Sequence, residues 1–282
     1  MIAITGATGQ LGRLVIHALL KSVEAGQLVA IARDPAKAEA FARQGVQVRR
    51  ADYGDREALT QALQGVEKLL LISSSEVGQR AAQHRNVIDA AKAAGVKFIA
   101  YTSLLHADRS PLGLAEEHLA TEAMLAESGI PFALLRNGWY VENYLASLPA
   151  ALEHGAFIGS AGEGKIAAAP RADYAEAAAR VLTLENQGGK VYELAGDEGW
   201  TLAELAAQVA TLSGKPVVYQ NLSEADFKAA LLGAGLPEGF AALLANSDVG
   251  ASKGGLFDAS RQLSQLIGRP TTPLAQSVQA AL

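Results

Sequence analysis

No cysteine occurs among the 282 residues, an absence that excludes disulfides, thiolate nucleophiles and thiolate metal sites at once and fits a reducing compartment such as the cytoplasm. Histidine is also sparse. The five, at 17, 84, 106, 118 and 154, include no pair at the spacing of a zinc-binding helix, so no metal is expected. Positive charge is not in excess either, because 24 lysines and arginines face 29 aspartates and glutamates for a net charge of −5. Nucleic acid is therefore not an expected partner. Long apolar runs are missing: none reaches the roughly 18 residues of a membrane span. Met1-Ile2-Ala3-Ile4-Thr5 runs into glycine too soon for a targeting segment. The expectation is a cytoplasmic protein that binds neither membrane, metal nor nucleic acid.

What is present is 50% hydrophobic, enough to bury a large core. In the first half these residues fall into short apolar runs that alternate with amphipathic stretches. The runs predict strands over 2–5, 28–33, 46–51, 68–73, 97–102 and 132–136, and the stretches predict helices over 10–22, 35–44, 56–63, 78–94 and 114–128. Asp34 before Pro35 has the form of an N-cap with proline in the first turn, and Gly45, Gly65, Gly95 and Gly129 stand where helices should stop. Repeated βαβ units predict an α/β fold whose doubly wound parallel Rossmann sheet occupies residues 1–148. Beyond Asn143 the alternation breaks. Residues 149–282 read as a smaller, mostly helical lobe for the substrate cleft, opening on a hairpin and returning one strand, 190–195, to the main sheet. The glycine-rich "SDVGASKGGLFD", 247–258, reads as a loop, either a lid or a plain linker.

The most specific local signal is "ITGATGQLG", in which Gly6, Gly9 and Gly12 follow a strand and open a helix. Glycine there permits a tight turn, close approach of backbone to a pyrophosphate and close helix-to-strand packing, while the helix N-terminus offers free N–H groups to the anion. The second strand ends in Arg33. A dinucleotide fold that takes NAD carries an acidic residue at this place, whereas an arginine accommodates the 2′-phosphate of NADP. NADPH is the expected cofactor and NADH the weaker one. Asp34 is the acidic rival, but its position before Pro35 suits an N-cap. A single phosphate-binding turn argues against a flavin.

Together "MIAITGATGQLG", "ARDPAKA", "ADYGD", "KLLLISSSE", "KFIAYTSL", "GIPFALLRNGWYVENYL" and "KVYELAG" resemble the NmrA-like atypical short-chain dehydrogenases along essentially the whole chain. The resemblance implies that Gly6, Ala7, Thr8, Gly9, Gln10 and Leu11 surround the pyrophosphate and that Arg33 meets the adenosine phosphate. It implies that Ser73, Ser74 and Ser75 flank the cofactor, the alternative being a polar turn that caps the next helix. Asn137, Gly138, Trp139, Tyr140, Val141 and Glu142 would lie near the nicotinamide, with Trp139 and Tyr140 toward the substrate; the alternative is an aromatic cluster that packs the lobes. On "LAEEHLATEAML", where plant reductases of the superfamily carry a lysine, His118 stands instead, either as a proton donor or as a packing residue.

One pattern of the wider superfamily is absent. A tyrosine acid is normally followed four residues on by lysine, yet none of the seven tyrosines meets this test, and Tyr101 is followed at that spacing by Leu105. Tyr101 itself reads as a strand-end residue with its hydroxyl at the surface, the alternative being a hydrogen bond supplied to the reduced product at the cleft mouth. Hydride transfer to an aliphatic ketone leaves an alkoxide nearly as basic as hydroxide, for which water's pKa of about 15.7 is the yardstick. A quinone leaves a phenolate-like anion whose conjugate acid lies near tyrosine's pKa of roughly 10, an easing on the order of 7 to 8 kcal/mol. A planar quinone therefore needs no strong acid, which is compatible with the quinone reductase, working by direct hydride transfer, that the resemblance implies. The alternative is a non-catalytic NmrA-like NADP(H)-binding redox sensor. The missing pair fits the alternative as well, and the flat aromatics and amides of "NGWYVENY" favour the enzyme.

Overall fold

The computed structural model describes residues 1–282. Nine strands form: β1 Ile2–Ile4, β2 Leu28–Ala32, β3 Gln47–Arg50, β4 Lys68–Leu71, β5 Phe98–Leu104, β6 Phe132–Asn137, β7 Ala156–Gly159, β8 Val191–Leu194 and β9 Val218–Asn221. Seven of them make one sheet in the order β3-β2-β1-β4-β5-β6-β8. Ile2 of β1 stands opposite Leu28 of β2 and Lys68 of β4, both in parallel register. The strand order reverses between β1 and β4, and in open α/β sheets ligands bind beyond the carboxyl ends of strands at such a reversal.

Sequence explains the layering. Every residue of β2 and of β5 is buried, as continuous apolar runs with helices on both sides require. At the sheet edge, "QVRR" of β3 is only partly covered, and charged side chains there discourage further strand pairing. Asp34 accepts from the Ala36 N–H at 3.1 Å and Asp55 from the Ala58 N–H at 2.9 Å, so both cap the turns that follow them. The stretch expected as one helix over 35–44 is shorter than that: a 3-10 turn, Pro35–Ala38, precedes a single α-helical turn, Glu39–Ala42. Gly95, with φ +75°, ends the helix Arg80–Ala94 in the left-handed conformation.

By contacts the chain forms two compact units. The first comprises 1–104, 116–136 and 171–192; the second comprises 105–115, 137–170 and 193–282. In the second unit β7 and β9 pair in parallel, with Phe157 opposite Tyr219, where a hairpin was expected. The partner strand comes from beyond the helix Leu202–Ser213, whose capping box joins Thr201 and Glu204. The expected loop 247–258 is also corrected, because its first half completes the helix Glu238–Ser252. Its glycine serves packing rather than flexibility: a Cβ on Gly250 would stand 2.7 Å from Leu112 Cδ1. Asp248, two residues earlier and also buried, accepts from the Ser160 N–H at 2.8 Å.

Candidate functional site

The glycine turn joins β1 to the helix Gln10–Leu19. Gly6 has φ +58°, the Gly9 N–H donates to Gly6 O at 2.9 Å, and Ala7 is fully buried. Gly9 is the N-cap. No side chain caps this helix and no acidic residue occupies its first turn, so the N–H groups of Gln10 and Leu11 remain available to an anion. Arg13 closes the turn from behind, donating Nε to Thr8 O at 2.8 Å and Nη2 to Lys37 O at 3.0 Å. Tyr53, beyond β3, supports it, its hydroxyl lying 2.7 Å from Thr5 Oγ1 and 2.6 Å from Ile72 O.

Arg33 projects beyond β2 with its side chain 70% exposed, Nη1 at 3.0 Å from Glu76 Oε1 and Nε at 3.6 Å from Asp52 Oδ2. Ser73, Ser74 and Ser75 follow β4. The Ser73 N–H donates to Thr102 Oγ1 at 2.8 Å, and Ser74 Oγ bonds Gln83 Oε1 and accepts from the Glu76 N–H. Ser75 is exposed. Of the three, Ser74 thus has a structural turn-forming role, whereas Ser73 is half-buried and Ser75 open.

Beneath this serine turn lies a buried polar chain that sequence reading did not assemble. Arg80 donates Nε to Ser74 O at 2.7 Å and Nη1 to His118 Nε2 at 3.3 Å. A guanidinium can only donate, so His118 accepts on Nε2 and presents Nδ1–H to the Tyr101 hydroxyl, 2.7 Å away. His84 has the same tautomer, accepting from the Ser74 N–H at 3.0 Å and facing Thr121 Oγ1 at 2.9 Å. Burial and then the nearby Arg80 charge push His84 down to about 3. Burial, Arg80 and His84 hold His118 well below its ordinary value. Neither histidine is charged near neutral pH. Tyr101 is 0% exposed, which corrects the surface position expected for its hydroxyl, and burial raises its pKa. The missed signal is that β5 sits mid-sheet, so its tyrosine points into the core.

In the second unit, Asn137 and Gly138 are buried, Trp139 and Tyr140 half-buried, and Val141 and Glu142 begin the helix Val141–Leu145. The strip is held at both edges: the Leu105 N–H donates to Asn137 O, the Gly138 N–H to Leu194 O, and the Val141 N–H to Ala169 O. Asn137 Oδ1 is buried without a hydrogen-bond partner, a state that costs about 1 to 3 kcal/mol unless a donor arrives. Arg136, just before it, forms a bidentate pair with Glu122 at 3.0 and 2.8 Å in the first unit and so serves the fold.

Sequence reading also missed His106. It adopts φ +51°, with Nε2 at 3.1 Å from Asp258 Oδ2, Nδ1 at 3.4 Å from Glu193 Oε2 and Arg109 Nη2 at 3.2 Å from Nδ1. A cavity of about 260 Å³ opens beside it, lined also by Arg109, Ser110, Lys253 and Phe257. Strained side-chain-bearing residues gather at ligand sites. No spacing in the sequence could have joined three residues so far apart.

The first unit therefore offers an uncapped glycine turn and an outward arginine at a topological switch point, and the second a strip of amides and aromatics. No helix is long and apolar enough to cross a membrane. The sequence profile of the NmrA-like family matches residues 1–272. The chain is 74% identical over 278 residues to Quinone oxidoreductase 2 of Escherichia coli (strain K12), a match that covers 99% of this chain and 97% of that protein. The crystal structure of the NADPH-dependent quinone oxidoreductase from Escherichia coli complexed with NADPH is similar at a TM-score of 0.98 and 73% identity, over 99% of both chains. Citrobacter sp. triphenylmethane reductase complexed with NADP(H) is similar at a TM-score of 0.96 and 44% identity, over 100% of both. With that sheet order, that glycine turn and a match along nearly its whole length, the chain belongs to the NmrA-like family.

Proposed function

We propose that this chain is an NADPH-dependent quinone oxidoreductase that reduces planar quinones by two-electron hydride transfer. The observation that carries the reading is Arg33 at the end of β2 beside an uncapped glycine turn, in a chain 74% identical to a quinone oxidoreductase. The residues fit the cofactor. The backbone of Gly6 to Leu11 would hold the pyrophosphate, Arg33 the 2′-phosphate, Ser73 and Ser75 the adjoining ribose, and Asn137 to Glu142 the nicotinamide end, where the orphaned Asn137 Oδ1 can accept a carboxamide N–H. NADH, which lacks the 2′-phosphate, binds more weakly. Bound NADPH supplies the hydride.

The chain's own residues position and shield. Trp139 and Tyr140 offer flat faces to a planar acceptor, and aromatic contacts of this kind contribute about 0.5 to 1.5 kcal/mol beyond area burial. No side chain need protonate the product strongly, because a hydroquinone anion is a weak base. The interior agrees with this: Tyr101 and His118 are occupied with each other, and burial holds the tyrosine protonated and the histidine neutral. They brace the serine turn rather than deliver protons. Mixing the protein with NADPH and 1,4-benzoquinone and following the nicotinamide absorbance tests the reading. Consumption well above background is expected, and none, with NADPH binding intact, would refute it.

A further inference from the structure

We infer that Glu76 is a second determinant of cofactor choice, an acidic latch that competes with the 2′-phosphate for Arg33; this rests on the NADPH reading above. Two carboxylates from different elements converge on one guanidinium: Asp52, just beyond β3, at 3.6 Å and Glu76, in the turn after β4, at 3.0 Å. Glu76 is not a drifting surface side chain. Its second oxygen accepts from Gln83 Nε2 at 2.7 Å, and its backbone N–H donates to Ser74 Oγ at 3.1 Å. Two bonds thus hold the carboxylate beside Arg33 and a third holds its backbone, on the side from which a phosphate would meet the guanidinium. A dianionic phosphate must take over the guanidinium donors and then sit beside the displaced carboxylate, and both steps oppose NADPH. NADH brings only an uncharged 2′-hydroxyl, which has no charge to set against the carboxylate and so meets no such cost. Glu76 accordingly narrows the gap between the two cofactors that Arg33 opens.

The test is titration of both cofactors into wild type, Glu76→Gln and Glu76→Ala at low salt. The glutamine keeps the shape and an acceptor oxygen but removes the charge. Exposed ion pairs are modest, so NADPH is expected to tighten about two- to fivefold in both variants. NADH affinity should stay within about 1.5-fold, and the gain should fade at high salt, where exposed charges are screened. Unchanged or weaker NADPH binding in the variants would overturn the latch and make Glu76 a brace that orients Arg33. Equal tightening of both cofactors would overturn it too, by placing the effect away from the 2′ position. Failure of wild type to bind NADPH at all would instead sink the underlying reading, so the two failures are told apart within one experiment.

Discussion

Replacing Gly12 by alanine probes the closest backbone approach in the glycine turn. A Cβ there would stand 2.3 Å from Gly6 O, 2.9 Å from Ala7 Cα and 3.0 Å from Gly6 C. All three neighbours are backbone atoms, and none can rotate away. Restoring ordinary contact requires the helix Gln10–Leu19 to withdraw from the turn by about 1 Å. Overpacking of that kind costs about 1 to 3 kcal/mol, and for a chain of this size each kcal/mol lowers Tm by roughly 2 to 4 °C. The same shift moves the helix N–H groups off the pyrophosphate position, and a displacement of about 1 Å can cost on the order of 10²-fold. Gly9→Ala is the internal control for stability, since its Cβ would lie 3.2 Å from Gly6 O as its single close neighbour and should melt close to wild type. Thermal unfolding by circular dichroism, paired with NADPH titration by fluorescence, reads both effects. If Gly12→Ala melts within a degree of wild type and binds NADPH unaltered, the steric account of the turn is wrong.

Further outcomes follow from the same geometry. Arg33→Ala should weaken NADPH about tenfold and leave NADH nearly unchanged: this is the lower end of what a charged hydrogen bond contributes, because the side chain is 70% exposed and already shared by two carboxylates. Equal losses for both cofactors in that titration would reduce Arg33 to a solvated strand end. Trp139→Ala and Tyr140→Ala should raise the quinone KM more than the NADPH Kd, and the opposite ranking in steady-state and binding assays would remove these rings from the acceptor site. Tyr101→Phe should keep most turnover while losing about 1 kcal/mol of stability with the His118 bond, whereas turnover slowed roughly a hundredfold or more would mark a general acid. Acid should destabilise the fold. His84 protonates near 6.5 when unfolded but only at about 3 when folded, so the unfolded state binds the extra proton between these values and stability falls with pH, by about 2 kcal/mol at pH 5. His118 acts in the same direction. Asp248, raised from 3.8 to about 6 by burial, binds its proton more tightly when folded and offsets part of the loss. Urea titrations of wild type and His84→Gln at pH 7.5 and pH 5 check the sign, and a variant with undiminished pH dependence would contradict it.

Much of the first unit was legible because its signals are local. Asp34 and Pro35 act within a few residues of where they stand, and Gly95 ends a helix whatever packs around it. The conformation of the glycine turn was legible for the same reason. Tyr101 was not, since a strand buried on both faces gives no alternation to tell inside from outside, and a tyrosine there reads as amphipathic until His118 is brought beside it. Glycine misled at 250 alone: density of glycine suggested a loop, and 254 and 255 do lie in a turn, but Gly250 is in a helix, where Leu112 leaves no room for a side chain. Contacts such as His106 with Asp258, or Arg33 with Glu76, belong to topology rather than to any window of sequence.

The interleaving of the two units has a consequence for synthesis on the ribosome. The chain leaves the first unit after residue 104 and again after 136, and completes it only at 192. The late segment is not decorative: its helix Arg171–Thr183 packs on the helix Gln10–Leu19, and Leu182 O receives Lys68 Nζ at 2.9 Å. At roughly 5 to 20 residues per second, the first five strands wait on the order of 4 to 16 s for that helix, with apolar sheet surface open meanwhile. Nascent chains stalled before residue 192 should therefore bind chaperones and resist compaction, and fragments cut at any single earlier point should fail to accumulate as folded nucleotide-binding units.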